Sequence, residues 1–119
     1  MTKKHYYLWE EFGEDAKTIA RHIKKQKLRF DGVWGPPRGG LPLAVVLSHA
    51  LDLPLLTKPK SKKTLIVDDI ADTGKTLQPY AASNFIATLF YHSESTFEPN
   101  LWLRKKSRAW IVFPWEKNT

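Results

Sequence analysis

The chain of 119 residues contains no cysteine, which excludes a disulfide framework and any thiolate metal centre and fits a reducing compartment such as the cytosol. It also has no run approaching the roughly 20 apolar residues of a membrane helix, so no span is expected. The opening stretch MTKKHYYLWEEF has lysines but no apolar core ending in small residues, and it does not read as a secretory leader. Acidic residues are in the minority, 12 against 19 Lys and Arg. The resulting charge of +7 calls for an anionic partner without choosing among nucleic acid, phosphorylated metabolites and acidic surfaces. There is no internal repeat and no low-complexity tract beyond the lysine cluster KPKSKK. Residues 1–119 are read as one domain, because this length is close to the commonest domain size and 42% hydrophobic residues can fill one core.

What is present alternates between helical and extended patterns. Phe12, Ala16, Ile19, Ala20 and Ile23 form one helical stripe, opposite Lys17, Arg21, Lys24 and Lys25, which predicts an amphipathic helix over Glu10 to Lys27. FDGVWG reads as a short strand, and LPLAVVLSHALD as a helix with Pro42 in its first turn. LPLLT and TLIVD read as two buried strands joined by the basic KPKSKK, and KTLQPYAASNF as a short helix that must hold Pro79 in its first turn or kink there. FIATLFYH, LWL and AWIVF are further strands. Such alternation predicts an α/β fold, a Rossmann-like parallel sheet flanked by helices.

The stretch TLIVDDIADTGKTL, Thr64 to Leu77, then lies where open α/β sheets hold ligands, past the carboxyl end of a buried strand and running into a helix. Free backbone N–H groups of Asp72 to Thr76, a glycine at Gly74 and hydroxyls at Thr73 and Thr76 suit a phosphate. A Walker A loop is excluded, because G-x-x-x-x-G-K-T needs glycine at position 69, which is Asp69. Three carboxylates beside a phosphate, Asp68, Asp69 and Asp72, require compensation. Ribose hydroxyls can donate to them, and a hard cation such as Mg²⁺ takes oxygen ligands. A ligand with phosphate, vicinal diol and magnesium meets all of this. The competing explanation is an acid-rich helix cap after a strand.

LIVDDIADTGKTL closely resembles the phosphoribosyl pyrophosphate (PRPP) motif of the type I phosphoribosyltransferases. GVWGPPRGGLPLA resembles their pyrophosphate loop. AWIVFPWE resembles the C-terminal hood of the small xanthine-guanine and hypoxanthine enzymes, and YYLWEEF the start of bacterial and archaeal members, so the likeness spans nearly the whole chain. It implies a cytoplasmic, Mg²⁺-dependent transferase of purine salvage that makes a nucleoside monophosphate and pyrophosphate from PRPP and guanine, xanthine or hypoxanthine. By the same likeness, Asp68 and Asp69 would hold the ribose hydroxyls and meet the metal, Asp69 being the better candidate for it. Ile70, Ala71, Asp72, Thr73, Gly74, Lys75 and Thr76 would complete PRPP binding around the 5-phosphate. Arg38, Gly39 and Gly40 would bind pyrophosphate, with a non-proline cis peptide between Pro37 and Arg38. Asp72 would be the catalytic group at base N7, Trp110 would stack on the purine, and the Ile111 backbone and His92 would bind its edge. Trp115 and Glu116 would shape the hood or cap the fold. Dimers are the family habit, and a homodimer or homotetramer is expected.

Two departures from the family stand out. KPKSKK is too short for the long lid, so either its lysines reach the pyrophosphate or another subunit or the hood seals the site. His92 stands where relatives often carry a lysine that reads the purine O6. The alternative reading is therefore a non-catalytic PRPP- or nucleotide-binding regulator, for which +7 would suit a nucleic acid. Against nucleic acid, the chain has no recognition-helix pattern and no aromatic-basic interleaving. A transferase for a non-purine base is disfavoured by WIVFPWE.

Overall fold

A computed structural model describes residues 3–117, so Met1, Thr2, Asn118 and Thr119, the ends of the 1–119 domain reading, lie outside the described residues. The elements in chain order are β1 (Lys4–Tyr6), α1 (Trp9–Lys25), β2 (Gly32–Trp34), α2 (Leu41–Leu51), β3 (Thr64–Ala71), a 3₁₀ turn (Gln78–Tyr80), β4 (Ile86–Tyr91), β5 (Leu101–Lys105) and β6 (Trp110–Val112). Four strands form one parallel sheet in the order β2-β3-β4-β5, and β1 pairs in parallel with β6 in a separate ribbon. This is the expected α/β architecture with a small C-terminal hood.

α1 forms where the apolar stripe placed it, with Phe12, Ala16, Ile19, Ala20 and Ile23 all buried. Its ends suit the helix dipole, with Glu10 and Glu11 in the first turn and His22, Lys24 and Lys25 in the last. α2 starts with Pro42 in the first turn, as read, and ends at Asp52 in a left-handed conformation. α1 packs on α2, β4 and β5, while α2 packs on β2 and β3. β3 therefore sends Leu65 and Val67 into the main core and Ile66 into a smaller cluster with Leu77 and Ile86. The hood is fastened by edge-to-face rings, Tyr7 against Phe90 at 5.1 Å and Phe90 against Phe113 at 5.7 Å. Buried Asp15 accepts from the Tyr7 hydroxyl at 2.5 Å and from Arg104 Nε at 2.7 Å, tying α1 to the hood and to β5. Burial and the Asp15 hydrogen bond push the Tyr7 phenol well above its ordinary range.

Two expected elements differ. LPLLT is not a strand: only Leu55 bridges Val33, flanked by the bonds from Val33 N to Pro54 O and from Leu56 N to Val33 O. Pro54 has no N–H to donate, so the pairing along this edge stops at once. KTLQPYAASNF yields no α-helix, only the 3₁₀ turn followed by turns. Pro79 does sit at its start, but the Ser83 and Asn84 amides both return to Tyr80 O and close the segment after one turn. β1 is an addition that the amino-terminal sequence did not suggest.

Candidate functional site

The site lies at the carboxyl ends of the strands. β3 delivers Asp68 and Asp69 just before it ends at Ala71, with Asp68 buried and Asp69 partly so. The Asp69 amide donates to Asp68 Oδ1 at 2.8 Å, and no basic side chain among the described residues is paired with either carboxyl. Burial, then the adjacent Asp69 charge, push the Asp68 carboxyl up to about 9. Burial also raises Asp69, and Glu116 of the hood adds to the effect by charge. The pair is thus short of positive charge and of donors.

Two loops face these acids. The loop after β2 carries the Pro37-Arg38 cis peptide and turns through Gly39 and Gly40 into α2, with Gly40 N donating to Pro36 O at 2.9 Å. A Cβ on Gly39 would come within 2.5 Å of Asp69 Oδ2, so only glycine lets this backbone lie against the carboxylate. Arg38, Gly39, Leu41, Val45, Asp69 and Trp115 are among the residues lining an open cavity of about 740 Å³. On the other side Asp68 to Gly74, Thr76 and Leu77 line one of about 220 Å³. There Gly74 has φ of 86°, and a Cβ would strike the Ser95 and Thr96 hydroxyls. The loop is not capped by the expected α-helix. Gln78 N closes it by donating to Gly74 O at 2.9 Å, so an anion here would meet loop N–H groups and the side chains of Thr73, Lys75 and Thr76 rather than a helix dipole.

A third group forms one residue beyond the strand ends. Ala71 pairs with Tyr91, and Tyr91 with Lys105, so Asp72, His92 and Lys106 follow in a row on three adjacent strands. His92 Nδ1 is 3.0 Å from Asp72 Oδ1, and Lys106 Nζ is 3.3 Å from both Asp72 oxygens. Asp69, Ile70, Asp72, Lys106, Trp110, Ile111, Phe113 and Glu116 line a cavity of about 170 Å³. Trp110 is 58% exposed, so its ring stands outside the strand core. Trp115 instead packs on the core, stacked on Phe113 at 5.2 Å, and Glu116 accepts from Phe113 N at 2.9 Å to close the final turn.

The fold thus brings Arg38, Gly39, Asp68, Asp69, Asp72, Thr73, Gly74, Thr76, Trp110 and Ile111 onto three cavities that share Asp69. His92 is turned to Asp72 and lines none of these three. Lys106 was missed, because KK after a short strand reads as solvated charge; its place past the carboxyl end of a parallel strand is the signal that finds it. The connector is held away from the site over much of its length. Lys60 N and Ser61 N donate to Thr64 Oγ1, and Asp31 N donates to Lys63 O, at the amino ends of β2 and β3.

No family model matches the chain. Among curated proteins it is 27% identical to the xanthine-guanine phosphoribosyltransferase of Nitratidesulfovibrio vulgaris, over 91% of this chain and 82% of that one. Among solved structures it is similar to the purine phosphoribosyltransferase of Pyrococcus horikoshii, with 30% identity, a TM-score of 0.85 and coverage of 99% and 97% of the two chains. The xanthine-guanine-hypoxanthine phosphoribosyltransferase of Helicobacter pylori shares the fold at 22% identity, with a TM-score of 0.78 over 95% and 92%. With the sheet order, the DDIADTGKT loop and a match along essentially its full length, the chain belongs to the type I phosphoribosyltransferases and is an enzyme of that family.

Proposed function

We propose that the chain is a Mg²⁺-dependent purine phosphoribosyltransferase that moves the 5-phosphoribosyl group of PRPP to a 6-oxopurine, guanine, xanthine or hypoxanthine, in cytoplasmic purine salvage. Residues 1–119 act as one catalytic domain, in a homodimer or homotetramer. The observation that carries the reading is the Asp68-Asp69 pair, the first buried and the second half-buried, short of donors, with Asp69 lining cavities on both sides. Two carboxylates of this kind suit ribose hydroxyls and a cation together.

The donor set fits magnesium. No cluster of three or more His, Cys, Asp or Glu among the described residues could hold a metal alone, and Mg²⁺ is usually held by one or two carboxylates plus the oxygens of a phosphorylated substrate. Asp69, with Asp68, would hold it once PRPP is present. When bound, the ion would neutralise charge on the departing pyrophosphate.

The remaining work falls to the chain. The Thr73–Thr76 amides and hydroxyls grip the 5-phosphate, with Ile70 and Ala71 leading the backbone into that loop. Arg38 and the Gly39-Gly40 backbone receive the pyrophosphate. Trp110 offers an exposed ring face for stacking, and the Ile111 backbone meets the base edge. Asp72, beside that face, accepts the proton from N7 as the base nitrogen forms its bond to the ribose C1 and pyrophosphate leaves; such help is worth about 10²- to 10⁴-fold. His92 bears on the base through Asp72, which it contacts.

The test is nucleotide formation from PRPP and Mg²⁺ with guanine, xanthine, hypoxanthine, adenine and uracil in parallel, with an Asp68→Asn/Asp69→Asn control. Turnover of one or more 6-oxopurines, abolished in the control, is the expected result. PRPP binding without turnover of any base would overturn the reading in favour of a ligand-binding regulator.

A further inference from the structure

We propose that Lys106 decides which bases the pocket accepts, by donating a hydrogen bond from its ammonium to an exocyclic carbonyl oxygen of the purine, so that an oxygen is favoured over an amino group there. The inference rests on the purine transferase reading above and adds the residue that sets its base preference.

Three observations carry it. Lys106 follows the last residue of β5, and its own amide donates to Tyr91 O at 2.8 Å, which fixes its backbone against the end of β4. Its side chain is 15% exposed, and its ammonium lies 3.3 Å from the Asp72 carboxylate and 5.9 Å from the centre of the Trp110 ring. Of the residues lining the 170 Å³ cavity it is the one that carries a positive charge. The ammonium lies over the Trp110 ring, so a flat base stacked on that ring would come beside both Lys106 and Asp72, which line the same cavity.

Lysine has three donors and no acceptor. A carbonyl oxygen on the ring supplies an acceptor, whereas an amino group at the same place sets donor against donor and leaves both without a partner. Turning Lys106 toward the base does not leave Asp72 without a neighbour, because His92 Nδ1 lies 3.0 Å from its Oδ1. The two basic groups thus divide the work. His92 is a positioning residue for Asp72, and Lys106 serves both the carboxylate and the ligand.

The experiment compares wild type, Lys106→Met and Lys106→Arg in steady-state kinetics with guanine, hypoxanthine and adenine, alongside melting temperatures. Lys106→Met keeps the stem and removes the charge. It is expected to raise the KM of the 6-oxopurines by about tenfold or more and to shrink their advantage over adenine. The KM of PRPP should stay within about twofold, and Lys106→Arg should restore part of the preference. Calorimetric binding of guanosine monophosphate and ribose 5-phosphate supplies a readout free of turnover, with the first weakened by Lys106→Met and the second unchanged. An unchanged oxygen-to-amino preference overturns the inference, as does equal weakening of both ligands. A wild-type protein that turns over no 6-oxopurine overturns the parent reading, which a loss confined to the Lys106 variants does not.

Discussion

β3 begins and ends among carboxylates, and the two ends treat them in opposite ways. At its start Asp31 accepts from Ser61 Oγ at 2.5 Å and Thr64 Oγ1 at 2.8 Å, while Asn84 Nδ2 donates to both Ser61 O and Thr64 O. Those hydrogen bonds, with Lys60 nearby, hold Asp31 below the usual carboxylate range. At its end Asp68 is buried and pushed up to about 9. Asp31 is a carboxylate whose partners belong to the fold, and it fastens the connector. Asp68 and Asp69 have no basic partner among the described residues, and under the proposed function their partners are the hydroxyls and cation of a ligand. Asp72 stands between, held by His92 and Lys106 and still lining the 170 Å³ cavity.

The comparison breaks first if the two ends respond alike to loss of charge. Asp68→Asn/Asp69→Asn is expected to lower kcat/KM by at least about a hundredfold. Asp31→Asn should leave it nearly unchanged and lower the melting temperature instead. Asp72→Asn should lose about 10²- to 10⁴-fold in turnover while PRPP still binds, and unchanged turnover would remove its assigned role. Trp110→Ala should raise the KM of the base about tenfold and that of PRPP far less; equal effects would return the ring to a structural part.

The stability predictions run in opposite directions with pH. The folded pKa of Asp68 lies above its unfolded value, so its carboxyl costs nothing below about pH 4 and opposes folding increasingly as pH rises toward about 9. Asp68→Asn should therefore melt higher than wild type by ~3 °C or more near neutrality, with the gap widening from pH 5 to pH 9 in thermal scans. Asp31 has a depressed folded pKa, so its contribution is present above the unfolded value and is lost as pH falls through the folded one. The smallest effect belongs to the connector. Lys60, Lys62 and Lys63 lie in the segment fastened at the amino ends of the strands, and alanine at all three should change kcat/KM by less than about twofold.

Much of this was legible in the chain, for local reasons. The stripe from Phe12 to Ile23 specifies a helix by its own period, and TLIVDDIADTGKT announces a buried strand and an anion loop in consecutive residues. What stayed hidden depends on partners distant in sequence. Lys106 meets Asp72 across 34 positions because β3, β4 and β5 align their ends, a register that no local pattern states. Leu55 has the composition of a strand residue, yet pairing fails at Pro54. Gln78 to Tyr80 stops after one turn, since Ser83 and Asn84 close on Tyr80. Trp110 and Trp115 are alike as letters, and only the packing separates an exposed ring face from a stacked core ring.

The central claim is that the Asp68-Asp69 pair is built for a ligand and Asp31 for the fold. Its most direct test is calorimetric titration of Mg²⁺ and PRPP into wild type, Asp68→Asn/Asp69→Asn and Asp31→Asn, each well below its melting temperature. The account predicts equal binding to wild type and Asp31→Asn and none to the double variant. Undiminished binding to the double variant would contradict it.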